Sequence, residues 1–155
     1  MDVTRSANPS DKDALIGILY DTFESTWRPN ITQQAAESFR ASKRPETYVG
    51  QCWQEFHIVP RVGIVAGFVH WRDDFVHALH VHSDYARTGV GTQLMDLAES
   101  EIGRAGHATA RLETDTFNTR SRAFYAARGF REIDQYPDLE WNSGLTTVLL
   151  EKILG

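Results

Sequence analysis

Cysteine is nearly absent from this 155-residue chain, where Cys52 stands alone. An intramolecular disulfide is therefore excluded, and the fold has to be held by its core. Long apolar runs are missing too, since no segment approaches the ~20 residues that span a bilayer. The opening Met1-Asp2-Val3-Thr4-Arg5-Ser6 lacks the apolar stretch of a signal peptide, so a soluble, cytoplasmic protein is expected. Positive charge is in deficit, with 16 Lys and Arg against 21 Asp and Glu and a net charge of −5. Nucleic acid is a poor partner for such a chain, because phosphate binding draws on a basic surface. A cationic amine is compatible with it. Repeats, linkers and low-complexity tracts are also lacking, so residues 1–155 read as one domain, large enough to bury a core.

What is present begins with Leu79-His80-Val81-His82-Ser83-Asp84-Tyr85-Ala86-Arg87-Thr88-Gly89-Val90-Gly91-Thr92. A short apolar run leads into a glycine-rich turn, and an amphipathic segment (Leu94, Leu97, Ala98, Ile102) opens at once. That order predicts a strand, a tight loop and a helix N-terminus. Amides freed at such a terminus, with the helix dipole, suit a phosphate or pyrophosphate. Glycine lets the backbone approach the ligand with no Cβ in the way. No Gly-Lys-Ser/Thr follows, so the loop is not of the Walker type, and the third glycine of a dinucleotide fingerprint would fall at Leu94. A Gly-x-Gly pair alone is equally a plain strand-to-helix turn.

Downstream, Asn118-Thr119-Arg120-Ser121-Arg122-Ala123-Phe124-Tyr125-Ala126-Ala127-Arg128-Gly129-Phe130 reads as a helix that starts near Asn118 and stops at Gly129, with a strand from Phe130. Together the two segments resemble the GNAT superfamily of acyl-CoA-dependent N-acetyltransferases. The family pattern is strand, Gln/Arg-x-x-Gly-x-Gly/Ala, helix, strand, then Asn-x-x-Ala-x-x-Phe-Tyr-x-x-x-Gly-Phe. Residues from about Val62 to Leu154 follow this layout. Two departures stand out: Ala86 replaces the usual Gln or Arg, with Arg87 next to it, and Ser121 replaces Ala. Backbone amides do most of the anion binding in such a loop, so cofactor binding is expected to survive the first.

The rest of the chain divides by period and turn chemistry. A short strand is expected over Asp2–Ala7, then a helix capped by Ser10 or Asp11 and carrying Leu15, Ile18, Leu19, Thr22 and Phe23. Trp27-Arg28-Pro29-Asn30 breaks it, and Thr32 caps a second helix that Lys43-Arg44-Pro45 ends. Strands at Gln51–Val59, Ile64–Arg72 and Phe75–His82 form a meander. A helix from Gly89 to Ala105-Gly106 follows, then strands at Ala108–Thr114, Phe130–Tyr136 and Thr146–Leu154 around the Asn118 helix. The expected fold is α/β (α+β), a mixed, mostly antiparallel sheet of six to seven strands with helices on both faces. The resemblance places the cofactor in a V-shaped gap between the fourth and fifth strands.

The resemblance implies acetyl-CoA as cosubstrate, no metal, and direct transfer to an amine. It assigns the carbonyl and pantetheine contacts to the backbone of Leu79, His80 and Val81. The pyrophosphate falls to the loop Ala86, Arg87, Thr88, Gly89, Val90, Gly91 and Thr92, and Asn118 contacts the pantetheine arm or pyrophosphate region. Tyr125 becomes the general acid toward sulfur, its phenol protonated at neutral pH, and Phe124 a packing residue. His77 matches the position of a basic histidine in aromatic-amine acetyltransferases of the superfamily, Glu113 is the next candidate base, and Glu24 a third. An ordered water chain is the alternative to any single base. Strand alternation puts His77 with Leu79 and Val81 on one face and His80 with His82 on the other.

A zinc reading of His77, His80 and His82 lacks a further carboxylate, thiol or histidine. Arg87, Arg120, Arg122 and Arg128 read singly as solvated helix charges and together as a basic rim for phosphates. The substrate side is assigned to the first two helices and the last loop, which carry Phe23, Trp27, Tyr136, Asp138 and Trp141. Aromatics with a carboxylate suit a cation or an aromatic amine, though tryptophans equally fill cores. The acceptor is read as a small-molecule amine, with a protein or peptide amine, or a non-catalytic acyl-CoA-binding module, as rivals. Homodimer formation is compatible with such a domain.

Overall fold

The longest apolar strand signal, Ile64–Arg72, forms an inner strand of the sheet in a computed structural model that describes residues 3–138 and 143–155. Call this strand β3; it is flanked by β2 (Phe56–Arg61) and β4 (Phe75–Val81) in antiparallel pairing. The short β1 (Arg5–Ser6) closes one side against β2. Beyond β4 lie β5 (Thr109–Asp115), β7 (Thr146–Ile153) and β6 (Arg131–Pro137), giving the order β1-β2-β3-β4-β5-β7-β6. The β4–β5 pair is parallel and every other recorded pairing is antiparallel. The expected mixed, mostly antiparallel sheet is thus seven-stranded.

Helices cover both faces. On one, α4 (Val90–Arg104) buries Val90, Leu94, Met95, Ala98 and Ile102 against Val69, Ala110, Leu112 and Val148, with α5 (Thr119–Ala127) contributing Tyr125. The other face is covered by α1 (Lys12–Thr22) and α3 (Arg44–Cys52), whose Leu15, Ile18 and Val49 meet Phe56, Ile58, Phe68 and Ala78. Between them runs α2 (Gln33–Ser42), capped as expected by Thr32, whose hydroxyl accepts from the Ala35 amide at 3.1 Å.

Three local expectations are refined or corrected. Asp11 holds the N-cap position of α1 as expected, but its side chain makes no cap bond there: a 3-10 turn over Pro9–Asp11 precedes the helix, where Asn8 accepts from the Ser10 amide and Asp11 reciprocates at the Asn8 amide, 2.8 Å. Lys43-Arg44-Pro45 ends α2 but also starts α3. Lys43 turns the chain in the left-handed region (φ 57°), and Pro45 occupies a first-turn position where its missing N–H costs nothing. Residues 51–55 are accordingly the end of α3 and a 3-10 turn, and the strand begins at Phe56.

The third correction concerns the histidines of β4. His70 pairs with Ala78 and Trp71 with Val76, which leaves His77 as the extra residue of a β-bulge. The bulge interrupts the alternation, so the His77 ring lies 5.2 Å from His70, on the α1–α3 side with Ala78 and His80. His77 therefore does not share a face with Leu79 and Val81, which pack on the α4 side.

Gly67 sets how closely α4 approaches the sheet. A Cβ there would lie 2.8 Å from the His80 carbonyl oxygen and 2.9 Å from Val90. Gly67→Ala is expected to destabilise the protein by ~1–3 kcal/mol, read from urea unfolding, because the backbone and the helix start have to move. An unchanged unfolding midpoint would refute this packing.

Candidate active site

After two paired positions, Phe75 with Arg111 and Val76 with Leu112, β4 and β5 diverge. Each strand is kept by its outer neighbour: β4 by β3 as far as Val81–Gly67, β5 by β7 as far as Asp115–Thr147. The inner edge of β4 therefore turns the backbone of Leu79, His80 and Val81 toward an open gap. A cavity of about 780 Å³ occupies this gap. Its walls come from β4 (His77 to His80), β5 (Leu112 to Asp115), α5 with the residue before it (Asn118, Ser121, Tyr125), and the α1–α3 layer (Thr22, Phe23, Trp27, Phe39, Tyr48).

At one end of β4 the glycine loop is anchored from both sides. The Ser83 amide and hydroxyl donate to Asp21 of α1, each at 2.8 Å, and the His82 ring accepts from the Asp84 amide. Arg87 and Gly89 both take positive φ, 62° and 90°. For Gly89 this is inexpensive; for Arg87 it is a strained conformation held by the loop. The first rung of α4 is Gln93 N–H to Gly89 C=O, so the amides of Val90, Gly91 and Thr92 precede the ladder. Gly91 lies under Phe124, 3.6 Å from where a Cβ would sit, and Phe124 packs half-buried beside the α4 start.

Asn118 caps α5 by accepting from the Ser121 amide at 3.1 Å, and the Ser121 hydroxyl meets Thr114 of β5 at 3.0 Å. These bonds fix α5 against the gap. Tyr125 is buried, edge-on to Phe124 and Phe130, and still reaches the cavity wall. Burial raises its hydroxyl pKa above the ordinary value, so it is protonated at neutral pH.

The opposite wall is polar at chosen points. A widened π turn over Phe23–Trp27 follows α1, stacks Phe23 on Phe39 at 4.0 Å, and lets the Trp27 indole donate to Asp115 at 2.7 Å. The Thr22 hydroxyl donates to the Leu19 carbonyl and lies 2.9 Å from Nδ1 of His80. Nδ1 of His80 accordingly carries the proton and Nε2 is the acceptor. Burial pushes His80 down to about 4, which keeps the ring neutral. Glu113 accepts from the Tyr136 hydroxyl, which burial and this carboxylate push up to about 12.

Of the residues singled out in the sequence, the gap gathers His77, Leu79, His80, Glu113, Asn118, Tyr125, Phe23, Trp27 and Asp138. Glu24 faces elsewhere, paired with Arg40 on the surface, which removes it as a base. Arg122 is committed to Glu132 and Arg128 to Asp96 and Glu99, so neither belongs to a phosphate rim. Trp141 lies outside the described residues. Among the described residues, no group of three or more His, Cys, Asp or Glu side chains is placed to hold a metal ion. No helix among them is long and apolar enough to cross a membrane.

Sequence reasoning missed Tyr48 and His70, joined by a 2.5 Å hydrogen bond. Reading the segment before Phe56 as strand hid the helix that carries Tyr48. The signal for His70 was a lone imidazole in an otherwise apolar strand core.

The "Acetyltransferase (GNAT) family" model matches residues 16–130. No curated protein sequence matches the chain. Among solved structures, the "GCN5-Related N-acetyltransferase: Aminotransferase, Class-II" of Rhodopseudomonas palustris is similar at 19% identity. The match covers 99% of this chain and 96% of that one, with a TM-score of 0.85. The ribosomal-protein-S18-alanine N-acetyltransferase of Escherichia coli is 19% identical over 100% and 95% of the two chains, TM-score 0.72. The PaiA N-acetyltransferase of Thermoplasma acidophilum, solved in complex with coenzyme A, is 18% identical over 99% of each chain, TM-score 0.77. At these identities the structural likeness speaks for the fold, and the family model for descent: the chain belongs to the GNAT family of acetyltransferases.

Proposed function

We propose that this protein transfers the acetyl group of acetyl-CoA directly to the primary amine of a small molecule. The observation that carries this reading is the continuity of one cavity from the β4 edge to Tyr125 and across to an aromatic, carboxylate-bearing wall. The residues present fit the cofactor. The amides of the loop Ala86–Thr92 suit a pyrophosphate, the β4 edge at Leu79–Val81 suits the amide-bearing pantetheine arm, and Asn118 lines the same cavity from the start of α5. Acetyl-CoA supplies an activated thioester carbonyl.

The chain's own groups then do three things. The β4 edge holds the carbonyl in line with the amine. Tyr125 gives its proton to the departing sulfur as the amine nitrogen forms the new C–N bond and the C–S bond breaks, and it regains a proton from water. Burial makes its phenol a weaker acid, but the same desolvation makes a thiolate in the gap a stronger base. Glu113, Asp115 and Asp138 line the acceptor side, and His80 is neutral there, so an incoming ammonium meets no opposing charge from that ring. His77 and Glu113 stand on this wall as proton acceptors. Peptide amines are the second reading, supported by the likeness to the ribosomal-protein-S18-alanine N-acetyltransferase.

Two outcomes are expected. Tyr125→Phe lowers kcat for thiol release, screened over a panel of primary amines, by ~10²–10⁴, the range for a positioned acid, while CoA affinity by calorimetry stays put. An unchanged kcat would remove Tyr125 from the chemistry. For His80, the folded state holds the ring neutral down to about 4, whereas the unfolded chain protonates near 6.5. Its contribution to stability is therefore complete above pH 6.5 and lost as pH falls toward 4. Ring NMR signals should still report neutral His80 at pH 5.5; a midpoint near 6.5 would contradict its environment.

A further inference from the structure

Primary amines are mostly ammonium at neutral pH, with pKa values near 10 like that of lysine, and nitrogen has no lone pair to attack with until one proton leaves. A side chain that merely accepts this proton keeps a positive charge in the cavity. A route to solvent removes it.

His70 is the buried titratable group that acetyl transfer has so far left unused. It is 2% exposed, in the centre of β3, with its ring 5.1 Å from Phe56. Both nitrogens are nevertheless bonded. Nε2 lies 2.8 Å from Oε1 of Glu55, and Nδ1 lies 2.5 Å from the hydroxyl of Tyr48. Tyr48 lines the cavity, and Glu55 is half-exposed on the far side of His70. We propose that Tyr48, His70 and Glu55 form a proton relay that carries the amine proton from the cavity to solvent; this rests on the acetyl-transfer reading above.

The tautomer follows from the partners. Arg72 at 2.5 Å, together with His70, holds the Glu55 carboxyl at about 2, so the carboxylate is ionised and accepts only. Nε2 therefore carries the hydrogen, and Nδ1 accepts from the Tyr48 hydroxyl. In the transfer, the ammonium N–H gives its proton to the Tyr48 oxygen as the Tyr48 proton moves to Nδ1. The Nε2 proton then passes to Glu55 and on to water, which leaves Tyr48 protonated by the amine's hydrogen and the ring as its Nδ1–H tautomer. Once the product has left, the ring is reset in the water-filled cavity: a water proton enters at Nε2 through Glu55 as the Nδ1 proton leaves through Tyr48 to cavity water. One proton leaves and no electrons are exchanged.

The charged and titratable groups facing His70 are Glu55, which raises its pKa, and Arg72 and His77, which lower it. Burial lowers it most, so His70 is neutral and ready to accept at pH 7. Tyr48 is the member that would touch substrate; His70 and Glu55 act through it as positioning residues.

The test is kcat/KM from pH 6 to 9 for the wild type, Tyr48→Phe, Glu55→Gln and His77→Asn, with acetyl-CoA and a responsive amine. If Tyr48 rather than His77 or Glu113 takes the amine proton, its removal leaves only free amine from solution to react, and that fraction grows tenfold per pH unit. Tyr48→Phe should therefore fall about 100-fold at pH 7 and recover toward the wild type by pH 9, with CoA affinity unchanged. Glu55→Gln, altered at a half-exposed position, should show the same pH-dependent deficit in smaller measure. A Tyr48→Phe rate equal to the wild type, a loss constant at every pH, or the pH-dependent loss appearing in His77→Asn instead would each overturn the relay while leaving acetyl transfer standing. Wild type that acetylates no amine would overturn the transfer reading itself, and the relay with it.

Discussion

The structure depends on one divergence: β4 pairs with β5 at two positions and then leaves it. Such a split at the centre of a sheet exposes backbone groups that a closed sheet would satisfy, and it is sustained because β3 and β7 hold the strands from outside. The bulge at His77 begins where the pairing ends, adding local bend to β4 as it pulls away. Hydrogen-bonding groups are thereby left facing a cavity with no side chain needed to carry them.

Everything around the gap serves to hold its two sides at fixed distance. Gly67 lets α4 sit close against the sheet, which brings the α4 N-terminus to the end of β4. Asp21 ties the loop to α1, and Asn118 and Ser121 tie α5 to β5. Across the opening, the bond from Trp27 to Asp115 links the α1 layer directly to β5. On the acetyl-transfer proposal, the anion-binding end is thus built from backbone, and the acceptor end from side chains. Such a division lets one fold keep a cofactor while the acceptor changes.

Much of this was legible in the sequence, and unevenly. Glycine loop, helix stop and cap carry local signals, so the starts of α4 and α5 and the strand β3 lie where Gly89, Asn118 and the run Ile64–Arg72 place them. Pro45 misled, because proline marks both the end of one helix and the first turn of the next, and only the left-handed turn at Lys43 separates the two. The bulge left no trace in composition, so period-two reasoning placed His77 on the wrong face. His70 and Tyr48 are 22 residues apart and meet only through packing, which no local pattern encodes.

The most direct test of the central claim is an amide-resolved NMR titration of the protein with coenzyme A alone. Cofactor held in the β4–β5 gap should move the signals of Leu79, His80 and Val81 and of the loop from Arg87 to Thr92, and leave those of β1 and β2 in place. Shifts confined to other surfaces, or none at millimolar ligand, would mean that the divergence of the two strands is not the binding site.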